Sequence, residues 1–175
     1  VRLENKVLKR TDELAYRVEF EKVISRISSR FIGIIKDIDS AINASLADIG
    51  KITDSSRVYV FLISSDGTKI NNTYEWCAEG VMPEINKLKN LYLENFPWRI
   101  DKLKNSEIIY MEDVSLLGGE AKAEKVILEK NGTKSFIVLP LNVKGRLYGL
   151  VGFDNIFSTG RWTTEDILMM RVFSE

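Results

Sequence analysis

KSFIVLPLNVKGRLYGLVGFD, residues 134–154, is the stretch that decides the fold. Two runs rich in apolar and β-branched residues flank Lys144-Gly145, and a short glycine-containing turn between such runs is typical of a β-hairpin. A second hairpin is predicted upstream, where RVYVFLI (57–63) leads through the turn SSDGT to KINNTYEWC (69–77). Because hairpins pair neighbouring strands antiparallel, the sequence predicts an antiparallel sheet.

Helical patterns precede, separate and follow these hairpins. Apolar residues recur at helical spacing over residues 2–35, which predicts one long helix. Asp37 is predicted to cap a second helix, and Thr163 with Asp166 forms a capping-box pattern before a last helix. The remaining elements are predicted from local patterns: a long connection over 78–106 with a short helix at 96–104, a strand at 107–111, and a helix at 119–132.

This order predicts an α+β fold, in which a central antiparallel sheet carries helices on both faces and a long helix leads into the domain. The chain of 175 residues is right for one domain with an appended helix. In KINNTYEWC, strand alternation predicts Ile70, Asn72, Tyr74 and Trp76 on one face and Glu75 with Cys77 on the other.

Composition excludes several classes of function. The chain has 25 Lys+Arg and 25 Asp+Glu without a basic cluster, which argues against nucleic-acid binding. Its apolar runs are strand length, so no direct insertion into a membrane is predicted. The single cysteine suits a reducing compartment, and we expect a cytoplasmic protein. The absence of histidine removes the commonest general base and metal ligand, so no metal site is predicted.

At this point the chain resembles the GAF domains of signalling proteins, especially archaeal-type modules that lie between PAS domains and histidine-kinase cores. The segments that carry the resemblance are VYVFLISSDGT (58–68), EWC (75–77), SFIVLPLNVKGRLYGLVGFD (135–154) and RWTTEDI (161–167). The resemblance implies a GAF-like sheet with the terminal helices on one side. It implies a small-molecule pocket, in members that have one, on the other side under the segment 78–130.

The resemblance also implies the organisation of the parent protein. Residues 1–30 would be a signalling helix and residues 31–175 a GAF-like sensory domain, whose last helix is cut short and leads to a downstream domain. The expected function is a sensory or regulatory module of a multidomain two-component protein, a sensor histidine kinase with adjoining PAS, GAF and kinase domains. The module would bind a small ligand or relay signals through paired helices.

An aromatic set is predicted to line the pocket, together with one amide. Its members are Asn72, Tyr74, Trp76, Phe96, Trp98, Tyr110 and Phe136. An apolar pocket with a few polar groups suits a small hydrophobic or aromatic ligand. Aromatic residues at such spacings also occur as plain core, so a packed pocket without a ligand remains the alternative. No cofactor is assigned. The pocket either binds an unidentified small molecule or is packed without a ligand.

Cys77 is the one residue with reactive chemistry. Glu75 and Glu79 flank it and would raise the pKa of its thiol by charge repulsion. Without histidine no Cys–His catalysis can occur, and without a second cysteine no resolving thiol exists, so the module is not expected to be an enzyme. The alternative function is a haem-based redox or gas sensor that uses Cys77 as an anchor, although the usual histidine axial ligand is missing.

A narrow apolar stripe on the first helix predicts a homodimer through the terminal helices. Leu3, Val7, Leu14 and Val18 form this stripe, and charged residues surround it on the other sides. A single stripe of this kind resembles a coiled-coil seam more than a core-facing helix.

Overall fold

A computed structural model describes residues 2–32, 37–160 and 162–174. The first helix, α1, runs over Arg2–Arg30 and is shorter than the predicted 2–35. The amides of Phe31 and Ile32 donate to the carbonyls of Ser28 and Ser29, and such three-residue bonds tighten a last helical turn and end it. Residues 33–35, the end of the predicted helix, lie outside the described residues.

Helix α2, Ile38–Ile52, begins where the sequence predicts. The Asp37 side chain accepts a hydrogen bond from the Ser40 amide and so satisfies one of the free donors of the first turn. Its apolar face, with Leu46 and Ile49 fully buried, packs on the sheet.

Six strands form one sheet in the order β3-β2-β1-β6-β5-β4. Their bounds are β1 Arg57–Ile63, β2 Lys69–Cys77, β3 Leu91–Tyr92, β4 Ile109–Met111, β5 Ser135–Val143 and β6 Arg146–Asn155. All the pairings are antiparallel, as predicted, and the two hairpins meet through β1 and β6 at the centre. The turn residues Lys144 and Gly145 both have positive φ, as a two-residue hairpin of this hand requires.

Within the described residues there are three shorter α-helices: α3 at Pro97–Lys104, α4 at Lys122–Lys130 and α5 at Thr164–Ser174. The predicted capping box of α5 is present, because the Asp166 amide donates to Thr163 Oγ1 while the Thr163 amide donates to Asp166 Oδ2. The two-residue strand β3 and three single 3₁₀ turns, at 93–95, 114–116 and 119–121, have no clear sequence signal.

The predicted alternation of β2 is wrong in its second half. The register runs from Phe61↔Asn72 to Val60↔Tyr74, so Thr73 is an extra residue without a partner, a β-bulge. One extra residue reverses the side of the sheet that each following residue faces. Asn72 and Glu75 therefore lie on the same side, where their side chains are hydrogen-bonded. Tyr74 and Trp76 point to the opposite side.

The sheet therefore separates two apolar cores. On one face α1, α2 and α5 cover a core that includes Phe20, Leu46, Phe153 and Met170. On the other face the segment between β2 and β5, here called the lid (residues 78–134), covers a core that includes Phe136. Helices on both faces and terminal helices on one side agree with the prediction.

Candidate functional site

A cavity of about 60 Å³ lies between the sheet and the lid. Its walls are largely apolar, and Phe61, Ile100, Leu128 and Leu150 are among the residues that line it. Charged side chains also reach it from both sides. They are Arg57, Glu75, Glu84, Arg99, Glu124 and Asp154. Such a number of charges around one small cavity is unusual for a core, because a buried charge is stable only when it is paired.

Arg57 and Asp154 form the centre of this set, at the paired ends of β1 and β6. Both are nearly inaccessible, at 2% and 4% exposed. The Arg57 Nη2 lies 3.7 Å from Asp154 Oδ2 and donates to the Asn131 carbonyl at 2.7 Å. The Tyr59 hydroxyl donates to Asp154 Oδ1 at 2.8 Å, and the Thr133 hydroxyl donates to Oδ2 at 2.9 Å. The carboxylate of Asp154 is thus held from three sides.

Burial raises the pKa of Asp154 above its ordinary 3.8, while Arg57 and the hydrogen bonds from Tyr59 and Thr133 act in the opposite direction. Burial also raises the pKa of Tyr59 well above 10.0, with the charge of Asp154 adding to the effect. The positive charge of Arg99 opposes both of these increases in pKa, because it favours the ionised form of each group. Arg99 therefore belongs to the same electrostatic cluster.

Glu75 attaches the start of the lid to β2. Its Oε2 accepts hydrogen bonds from the amides of Glu84 and Ile85 at 2.8 and 2.9 Å, and its Oε1 accepts one from Asn72 Nδ2 at 3.1 Å. The Glu84 side chain is then directed inward, where its Oε1 lies 3.9 Å from Arg57 Nη1. The exposed ammonium of Lys87 approaches the same oxygen from outside at 3.2 Å.

Arg99 of α3 and Glu124 of α4 bring charge from the lid. Glu124 is 1% exposed, and its Oε1 accepts a hydrogen bond from the Arg99 backbone amide at 3.3 Å. The Arg99 guanidinium carbon lies 5.5 Å from the centre of the Phe136 ring, a cation–π distance. Both residues therefore line the cavity from the lid side.

Four buried side-chain atoms around the cavity lack a hydrogen-bond partner within the described residues. They are Arg57 Nε, Arg99 Nε, Glu84 Oε2 and Glu124 Oε2. Buried polar groups in native proteins almost always have a partner, and leaving one unsatisfied costs about 1–3 kcal/mol. Two donors and two acceptors without a partner therefore belong to residues that line the cavity. Within the described ranges no group of three His, Cys, Asp or Glu residues is placed to hold a metal ion.

The structure divides the seven residues predicted to line a pocket. Phe96 lines the cavity, and Asn72, Trp98 and Phe136 lie on the same side of the sheet. The other three, Tyr74, Trp76 and Tyr110, pack on the opposite side against the terminal helices. Whether any of the seven contacts a ligand stays a prediction.

Strand geometry explains the three displaced aromatic residues. The bulge at Thr73 turns Trp76 toward α2, where a Cβ on Gly50 would lie 2.3 Å from its ring, and the Tyr74 hydroxyl donates to Asp39 at 2.6 Å. On β4, alternation directs Tyr110 away from the lid, and its hydroxyl donates to the Trp162 carbonyl.

The charged residues of the cavity were missed at the sequence level. One signal could have found Arg57, because it shares a strand face with Tyr59 and Phe61 in an otherwise apolar strand. Glu84, Arg99 and Glu124 carry no comparable signal, because they come from loops and short helices whose orientation depends on the whole lid.

Cys77 is half-buried and free. Burial, followed by the charge of Glu75, raises the pKa of its thiol from 9.0 to about 11, and only Arg57 acts in the opposite direction. The effect of Glu75 has the predicted sign. A thiol with this pKa is a poor nucleophile and a poor thiolate ligand near neutral pH.

Alkylation of Cys77 should consequently be slow. A rise of about two pKa units, from 9.0 to about 11, leaves roughly 100-fold less thiolate at pH 7.5, because each unit is a factor of ten. Iodoacetamide should therefore modify the folded chain about 100-fold more slowly than an unstructured cysteine peptide. The urea-unfolded chain is the control and should react at the peptide's rate. An equal rate in the folded chain would contradict the raised pKa.

The predicted dimer stripe on α1 is exposed. Leu3, Val7, Leu14 and Val18 have between 49% and 77% of their surface accessible. Leu14 lines a groove between α1 and α5 together with Leu168, which is 54% exposed. The apolar surface of α1 thus continues onto α5. None of the described helices is both long and apolar enough to cross a membrane.

The comparisons with known proteins agree with this architecture. Residues 37–175 match the model of the GAF domain family. The chain is 30% identical over 140 residues to the "Methanogenesis regulatory histidine kinase FilI" of Methanothrix harundinacea (strain 6Ac), a match that covers 78% of this chain. The chain spans only 16% of the length of that relative.

Solved structures with the same fold include GAF domains of photoreceptors. The phycoerythrobilin-bound GAF domain from a cyanobacterial phytochrome superposes with a TM-score of 0.72 at 19% identity, covering 90% of this chain and 92% of that one. GAF3 from Slr1393 of Synechocystis sp. PCC6803 gives a TM-score of 0.65 at 19% identity, covering 78% and 88%. At such identities the likeness shows the fold alone. With the family match over residues 37–175, the chain belongs to the GAF domain family.

Proposed function

We propose that this GAF domain is the sensory module of a sensor histidine kinase and that the cavity under the lid binds a small molecule. The observation that carries the proposal is the set of four unpartnered buried polar atoms on residues that line one small cavity. A module that only relayed signals would gain nothing from burying these charges, since apolar residues of similar size usually give equal or better stability. The homology to a histidine kinase supports the class of parent protein.

A bound molecule can act on the helices through the central strands. Arg57 and Tyr59 of β1 face the cavity, whereas Val58 of the same strand packs in the core beneath the terminal helices. A ligand that prefers one position of the lid or of β1 would therefore bias the packing of α1, α2 and α5. No step of this mechanism requires catalysis, and we propose a binding module that is not an enzyme.

We further propose that two copies pair through α1 to transmit the bias. The support is the exposed apolar stripe of Leu3, Val7, Leu14 and Val18 and its continuation at Leu168. Apolar surface of this kind, surrounded by charged residues, is typical of a helix–helix interface. The single cysteine is consistent with the cytoplasmic location that we expect of the parent protein.

Native mass spectrometry of the purified chain, with a visible spectrum, tests these proposals together. The expected result is a dimer that carries a small additional mass, which is lost on denaturation. Leu14→Asp should give a monomer, and Asn5→Asp, an exposed position on the same helix, should remain dimeric. A bare monomer at tens of micromolar would contradict the dimer.

The same spectra decide the haem alternative. A haem-sized adduct that survives denaturation, with a Soret band, would make Cys77 an anchor and the domain a haem-based redox or gas sensor. A ligand-free chain, even after incubation with an extract of its native host, would contradict the small-molecule proposal. The present cavity of about 60 Å³ is far smaller than the ~300–1,000 Å³ of typical ligand pockets, so a haem would require a large displacement of the lid.

A further inference from the structure

We infer that the cavity takes a small zwitterion, an α-amino acid with a short aliphatic side chain. The inference rests on the proposed function, because it names the chemical class of the ligand for that site. It is carried by the kinds of group that surround the cavity, their charges, and the size and polarity of the space.

The unpartnered atoms include both hydrogen-bond donors and hydrogen-bond acceptors. Arg57 Nε and Arg99 Nε are donors on cationic groups, and Glu84 Oε2 and Glu124 Oε2 are acceptors on carboxyl groups. Glu84 and Glu124 are 7% and 1% exposed, and Arg57 is 2% exposed, so bulk water does not reach these side chains freely. A ligand that satisfies all four must offer acceptors at one end and donors at the other.

Ligands of a single charge leave half of the site unsatisfied. A carboxylic acid could accept from the two guanidinium groups, but its charge would be repelled by Glu124, which has no ion-pair partner among the described residues. An amine could donate to the two carboxyl groups, but it would leave both Nε donors buried without a partner. Each uncompensated charged group costs a ligand about tenfold or more in affinity. A molecule with both an ammonium and a carboxylate group avoids both costs.

The space limits the ligand to a few heavy atoms. A cavity of about 60 Å³ is small beside the ~300–1,000 Å³ of typical ligand pockets, so we expect a ligand of few heavy atoms. Phe61, Ile100, Leu128 and Leu150 in the walls favour a methyl or ethyl side chain over a polar one.

Matched small molecules test the charge requirement. L-alanine, ethylamine and propionate share a two-carbon framework, and the last two each lack one of the charged groups. Titration calorimetry and thermal unfolding of the 175-residue chain should show saturable binding of L-alanine. Ethylamine and propionate should each bind at least tenfold more weakly. L-tryptophan should bind more weakly as well, because it exceeds the cavity.

A matched pair of variants on α4 tests the location. Glu124→Gln keeps the shape but removes the charge that faces the ammonium group, and we expect affinity for L-alanine to fall about tenfold. Glu129→Gln makes the same change at an exposed position of the helix and should leave the affinity unchanged. If Glu124→Gln does not fold, the three-compound series on the unmodified chain still decides the question.

The contrary outcomes are distinct. If ethylamine or propionate binds as tightly as L-alanine, the inference that the ligand is a zwitterion is wrong, but the proposed small-molecule site is supported. If none of the compounds binds while native mass spectrometry finds a captured molecule, the ligand class is again wrong and the proposed function stands. If no compound binds and no molecule is captured, both fail.

Discussion

Replacing Arg57 by methionine should lower the free energy of unfolding by about 3–5 kcal/mol. Methionine fills a similar volume but removes the cation from a nearly inaccessible site, where Arg57 lies 3.7 Å from Asp154 and 3.9 Å from Glu84. Asp154 would then remain buried without its cation, Glu84 would keep only the exposed Lys87, and the Asn131 carbonyl would lose its 2.7 Å hydrogen bond. Urea denaturation of the chain and of Arg57→Met measures the difference.

An exposed arginine on a neighbouring strand provides the control. Arg146 of β6 lies over the Tyr148 ring at 5.4 Å, in a solvent-accessible position. Its replacement by methionine should cost less than about 1 kcal/mol, as exposed cation–π contacts do. A loss in Arg57→Met no greater than in Arg146→Met would show that the buried charges are not coupled as the distances indicate.

The loss in free energy of unfolding caused by Arg57→Met should increase with pH. Asp154 has a folded-state pKa raised above 3.8, so the folded chain binds its proton more tightly than the unfolded chain does. Stability from this group is therefore present at low pH and is lost as the pH rises through the raised value. Removal of Arg57 takes away the main influence that lowers this pKa. The loss on substitution should consequently be smaller at pH 5 than at pH 8, and the reverse order would contradict this account.

Replacing Gly149 by alanine should cost about 3 kcal/mol, because β1 and β6 cannot accommodate a side chain there. A Cβ at Gly149 would lie 2.1 Å from the Phe61 carbonyl oxygen and 3.2 Å from the Leu62 Cα. Both contacts are with backbone of the central strand, so relief requires the two middle strands to separate. The sheet pairing next to the cavity would be disturbed as well, and thermal unfolding should show a clear drop in Tm.

Gly118 is the matched control for this substitution. Its backbone is extended, with φ of −159°, and a Cβ there would meet nothing within 4 Å. Gly118→Ala should leave stability unchanged or raise it by about 0.4–1 kcal/mol, because alanine restricts the unfolded chain. Equal effects at the two positions would show that the close approach at Gly149 is not what limits the sheet.

Much of the architecture follows from local sequence. The two hairpins, the Asp37 cap of α2 and the Thr163–Asp166 capping box all depend on residues within a few positions of one another. Their periodicity and turn residues predict them because the competing local conformations are few. The same patterns carry the resemblance to GAF domains, and the family match over residues 37–175 confirms it.

The chemistry of the candidate site was decided by tertiary structure. One unpaired residue, Thr73, exchanges the faces of β2, so it removes Trp76 from the lid side and brings Glu75 to it, which strict alternation cannot predict. The cavity combines Arg57, Glu84, Arg99, Glu124 and Asp154, which are far apart in the sequence. Sequence by itself thus determined the elements and the family, whose signals are local. Which charges share the buried space is a long-range property of packing, and only the folded chain determines it.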